Sequence, residues 1–136
     1  MKKFTLFIMM LVMCATTTFA QTAIEAPEDV KPGKIYWFKN CWLSGYEGYS
    51  ATIAYNADNG MIWCSSSIGV GEDPTDPIQQ YAFVEYEGNL YMYSLGADKF
   101  VSYKNDGAHV RDIPTSFVTI SESTFGDVNY PWCMAF

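Results

Sequence analysis

The chain holds one histidine in 136 residues, and none of its four cysteines belongs to a C-x-x-C pair. That falls short of a typical zinc set. Basic residues are scarce as well: eight Lys and Arg stand against fifteen Asp and Glu, for a net charge of −7. Nucleic-acid binding needs a basic footprint, and anionic lipid recruits basic segments, so both partners are disfavoured. The sequence carries no phosphate loop, no dinucleotide fingerprint, and no nucleophile-elbow or cysteine-protease signature. After the first twenty residues it has no long apolar run and no helical periodicity. No membrane insertion and no cofactor are therefore expected.

What is present begins with an export signal. Lys2 and Lys3 give a positive start, residues 4–14 form an apolar core broken only by Thr5, and Thr16-Thr17-Thr18-Phe19-Ala20 supplies small residues before a cut after about Ala20. This reads as a secretory signal peptide over residues 1–20, and a secreted or periplasmic location is expected. Met13 is a poor residue before a lipidated cysteine, so anchoring at Cys14 is not expected. Loss of Lys2 and Lys3 takes the eight basic residues to six against fifteen acidic ones, so residues 21–136 carry −9. Such a balance suits solubility and a neutral or cationic ligand. Cys41, Cys64 and Cys133 remain, an odd number. Export permits a disulfide, and Cys41–Cys64 is the nearest pair, but spacing does not give connectivity. Three small buried thiols are an equal reading.

The most informative stretch is 79–96, a hairpin rich in tyrosine. Tyr, Phe and Val favour a pleated, half-buried surface, and Gly88-Asn89 is a two-residue connection of the kind that joins twisted strands. A turn there sets Tyr86 opposite Tyr91 and Val84 opposite Tyr93. Ala82, Val84, Tyr86, Tyr91, Tyr93 and Leu95 then share one face, expected to enter the core, and the other face is mixed. After a polar linker at 21–33, further strands are expected at 34–39, 42–45, 51–55, 61–66, 100–103, 108–113, 116–121 and 131–136. Turn clusters such as Asn56-Ala57-Asp58-Asn59-Gly60 lie between them. Short strands every 8 to 12 residues or so argue for an all-β barrel or sandwich. A faint echo, Ile35-Tyr36-Trp37-Phe38 against Leu90-Tyr91-Met92-Tyr93, recurs at an offset of 55 residues and favours a pseudo-symmetric barrel.

Gln79-Gln80-Tyr81-Ala82-Phe83 resembles the Gln-x-Trp-x-Phe signature of ricin-type β-trefoils, with Tyr81 in the tryptophan position. The segment Gly96-Ala97-Asp98-Lys99-Phe100-Val101-Ser102 resembles the opening of the following repeat. The resemblance implies a β-trefoil-like antiparallel barrel over 34–136, with repeat one at 34–88, repeat two at 89–126 and a third beginning at 130–136. Two of three repeats make an incomplete barrel, so a longer parent protein is expected; a β-sandwich is the alternative. The resemblance also implies a secreted, non-catalytic carbohydrate-binding or accessory module in glycan use. Two rivals remain: the N-terminal part of a larger glycan-active hydrolase, and a protein-binding inhibitor or adhesion domain. The oligomeric state is not set by the sequence.

A sugar platform needs an exposed ring beside an amide or carboxylate. The expected one is Trp42, Tyr46 and Tyr49 on a glycine-bearing loop, with Glu47 and Asn40 nearby, although Trp42 in the core is the plainer reading. Asp98 reads more simply as a turn former than as a lectin-type ligand. Glu72, Asp73 and Asp76 offer oxygens for Ca²⁺, as do Asp58 and Asn59, but a solvated acidic loop accounts for them. Glu85 and Glu87 share a strand face as paired carboxylates would; strand surface charge explains them as well. His109 would have to serve any Ser–His–Asp or Cys–His site, and an exposed strand position is the plainer reading.

Overall fold

The computed structural model describes residues 24–38, 52–122 and 132–136, the side chains of Trp132 and Cys133 excepted. The signal peptide, the strand expected at 42–45, and Asn40, Trp42, Tyr46, Glu47 and Tyr49 lie outside the described residues. The chain is all-β. Its strands are β1 (Ile35–Tyr36), β2 (Ile53–Asn56), β3 (Met61–Cys64), β4 (Tyr81–Tyr86), β5 (Asn89–Ser94), β6 (Lys99–Lys104), β7 (Gly107–Arg111), β8 (Thr119–Glu122) and β9 (Trp132–Ala135). Seven form one curled antiparallel sheet in the order β1-β4-β5-β6-β7-β3-β2, and β8 pairs with β9. No helix of the described residues is long and apolar enough to cross a membrane.

The pairing has an internal pattern. β1 pairs β4 through Tyr36–Tyr81, and Leu90 at the start of β5 bridges Val118 just before β8. Between those partners lie the hairpins β2–β3 and β6–β7, which pair with each other through Met61 and His109. Ile53 N–H reaches Phe38 O at 3.3 Å, as β5 pairs β6 at Tyr93–Phe100.

The central hairpin corrects the expected register by two residues. Its turn is Glu87-Gly88, with φ of 51° and 77°, and Tyr86 faces Asn89 while Val84 faces Tyr91. Two left-handed residues make the primed turn that matches strand twist. Asn89 joins the ladder, and its amide reaches back to Glu87 O at 3.4 Å. A shift of two preserves which residues share a face.

The core, however, sits on the opposite face from the one expected. Tyr81, Phe83 and Met92 enter the main cluster with Val30, Ile62, Val101 and Val118. Val84, Tyr93 and Phe100 make a smaller cluster on the other side. The face with the core reads as mixed in sequence because Glu85 and Glu87 lie at the exposed hairpin tip, beyond it. Phe83 meets Tyr36 edge-on at 5.5 Å and Phe38 at 6.0 Å, pairs worth about 0.5–1.5 kcal/mol each beyond burial. Tyr81 fills the interior, and burial pushes its phenol above the ordinary tyrosine range.

Candidate functional site

Strand alternation creates a cleft on the outer face of β3. On β3, Ile62 turns into the core while its neighbours Met61 and Trp63 share the outer face. Trp63 keeps 48% of its surface exposed. The turn before it is held by its own amides: Asn56 Oδ1 accepts the Asp58 N–H and Asn59 Oδ1 accepts the Met61 N–H, each at 3.0 Å. Those bonds orient both side chains and leave their NH₂ groups as donors with no partner among the described residues. Gly60, at φ 71°, closes the turn and its carbonyl accepts Val110 N–H from β7 at 2.9 Å. After β3 the 3-10 turn Ser65–Ile68 folds back beside the indole. The result is a shallow cleft of about 240 Å³ lined by Asn56, Asn59, Met61, Trp63, Ser67 and Ile68.

A buried polar cluster anchors the start of the 3-10 turn that carries Ser67 and Ile68. Thr52 bonds the Ser65 hydroxyl and donates to Gln79 Oε1 at 3.1 Å; Gln79 Nε2 donates to Gly71 O at 2.7 Å, and Asp73 N–H donates to Gln79 Oε1 at 3.3 Å. All three side chains are fully buried. Satisfied polar networks of this kind specify one arrangement of the loops they join. The glutamine of the Gln-x-Tyr-x-Phe segment thus holds the loop at 69–76 against the start of β2.

Asp73 and Asp76 of the acidic loop serve turns. Asp73 accepts the Thr75 hydroxyl at 2.6 Å and its N–H at 2.8 Å, which hold its carboxyl below the usual range. Asp76 accepts Ile78 N–H at 3.0 Å and caps the 3-10 turn Pro77–Gln79. Among the described residues no three His, Cys, Asp or Glu side chains gather as a metal site. Glu85 and Glu87 are exposed at the hairpin tip, Glu85 opposite Leu90 and Glu87 in the turn. Asp98, at φ 54°, accepts the Tyr93 hydroxyl, and burial together with that carboxylate raises the Tyr93 phenol. His109 is half-buried beside Asp106, its Nε2 2.9 Å from Oδ1.

Comparison with protein-family models, curated proteins and solved structures finds no match.

The site therefore rests on its own geometry. Sequence reasoning placed the aromatic platform at Trp42 and passed over Trp63 and Asn56. The available signal was local: Met61-Ile62-Trp63 alternates outward, inward, outward directly after an amide-rich turn.

Proposed function

We propose that this protein is a secreted, non-catalytic carbohydrate-binding module of β-trefoil-like build, with Trp63 as its sugar platform. The observation that carries the reading is the half-exposed Trp63 ring beside two oriented amides. An indole face covers the apolar face of a pyranose, and a few fixed polar groups select its hydroxyls. The acidic balance of the chain suits a neutral sugar.

The trefoil-like build is supported by the repeated pairing. In residues 34–88 the first strand pairs the last around an inner hairpin, β1 with β4 around β2–β3. In residues 89–126 the Leu90–Val118 bridge stands outside β6–β7 in the same way. The link from β4 to β5 is matched by the link from β8 to β9. A sandwich of two facing sheets has no need of this recurrence.

The test is a neutral-glycan array probed with residues 21–136 and with its Trp63→Ala variant. Retention by the parent chain and its loss in the variant, with unchanged circular dichroism, is the expected result. Equal retention removes Trp63 from the site, and Trp42→Ala in parallel reports whether the platform expected from sequence at Trp42, Tyr46, Glu47 and Tyr49 carries binding instead. A parent chain retained by no glycan overturns the reading.

A further inference from the structure

We infer that the ligand is an extended neutral oligosaccharide, running from Trp63 across Met61 to a second contact at the Asp106–His109 pair. This rests on the carbohydrate reading above. Met61 and Trp63 share the outer face of β3, and Met61 is the cross-strand partner of His109 on β7. Trp63 and His109 are therefore diagonal neighbours, about 7–8 Å apart at that spacing. A chain that lies on Trp63 and crosses Met61 comes within reach of both side chains.

Met61 lies between them. The Met61 methyl carbon lies 3.1 Å from where a Cβ on Gly107 would stand, so Met61 reaches over the start of β7 at a position without a side chain. Gly107 sits at φ 135°, a conformation that disfavours any replacement. Next to Gly107 stands a fixed acceptor. Asp106 is 63% exposed at its side chain, while His109, only 17% exposed, holds one of its oxygens at 2.9 Å.

The two sides of this surface differ in chemistry. Asn56, the cross-strand partner of Met61, and Asn59 present NH₂ donors on the β2 side. Asp106 presents a carboxylate on the other, and its own backbone N–H and His109 hold it ionised below the usual carboxylate range. An ionised carboxylate accepts from hydroxyls and repels a second carboxylate. Neutral chains are selected and uronic or sialic acids are rejected.

The experiment is titration calorimetry on residues 21–136 with glucose, galactose, mannose and N-acetylglucosamine, and with cellotriose, lactose, mannotriose and chitotriose. At least one oligosaccharide should bind about tenfold more tightly than its monosaccharide, equivalent to about 1.4 kcal/mol. Asp106→Ala and His109→Ala should each remove that gain and leave the monosaccharide affinity unchanged; Asp106→Asn, which keeps the shape and loses the charge, should admit uronic-acid oligomers. Trp63→Ala should lose both affinities. Equal binding of monosaccharide and oligosaccharide overturns the inference. So does oligosaccharide affinity indifferent to both Asp106→Ala and His109→Ala, and in either case a loss on Trp63→Ala leaves the platform standing. No binding of any probe by the parent chain overturns both readings.

Discussion

Gly96 lies against the backbone of Ile78 so closely that a Cβ on the glycine would stand 2.6 Å from the Ile78 Cα and 2.8 Å from its nitrogen. The turn after β5 is thereby pressed onto the 3-10 turn Pro77–Gln79, which carries the buried glutamine bonded to Thr52. Backbone atoms cannot yield as a side-chain tip can, so Gly96→Ala acts as overpacking and costs about 1–3 kcal/mol. Gly71 has open space around its missing Cβ. Gly71→Ala should be neutral or stabilising by up to about 1 kcal/mol. Urea unfolding of both variants checks the contrast, and equal midpoints would refute it.

Gln79 bonds Thr52, Gly71 and Asp73 from a fully buried position. Gln79→Leu keeps the bulk and removes the partners. Buried groups left unsatisfied cost about 1–3 kcal/mol each, so a loss of about 2–3 kcal/mol is expected after partial rearrangement. The loop at 69–76 should loosen first. Hydrogen exchange should therefore quicken at Asp73 and Val70 before it does in β4 and β5.

Strand existence was legible because Tyr, Val and Phe alternate between strong turn clusters; the core face was not. Phe83, Leu90 and Met92 read as the poorer face beside Glu85 and Glu87, since composition weighs the hairpin tip equally with its base. Only the tertiary fold shows that the base is covered on both sides. The register was missed because a left-handed glutamate is uncommon, which made Gly88-Asn89 the natural choice of turn. At the site, Asn56 and Asn59 were visible as turn formers. Their second role depends on the cleft they share with Trp63; the β2–β3 register sets Asn56 opposite Met61, and Trp63 lies two residues along the same face.

Glu87 at φ 51° carries the strain that misdirected the register. A left-handed backbone costs an ordinary L-residue roughly 1–2 kcal/mol, and Asn is among the residues that tolerate it. Glu87→Asn creates Asn-Gly at the two central positions, the preferred pair for this turn. A gain of about 0.5–1 kcal/mol is expected, read as a higher urea midpoint with an unchanged slope. A fall in the midpoint would mean that Glu87 contributes more than its backbone geometry indicates.

Tyr93 and Asp98 make the fold sensitive to alkali. Burial, then the hydrogen bond to Asp98 and its charge, raise the Tyr93 phenol above its ordinary value, and burial alone raises Tyr81. Both groups keep their proton more tightly folded than unfolded. Their contribution is thus whole below about pH 10, the unfolded tyrosine value, and is lost as pH climbs from there toward the folded values. Tyr93→Phe removes one of the two titrations and should flatten the decline, at a cost near neutrality of about 1 kcal/mol for the lost bond. Melting temperature followed from pH 7 upward in parent and variant checks this. Parallel curves above about pH 10 would show that Tyr93 ionises as freely in the fold as out of it.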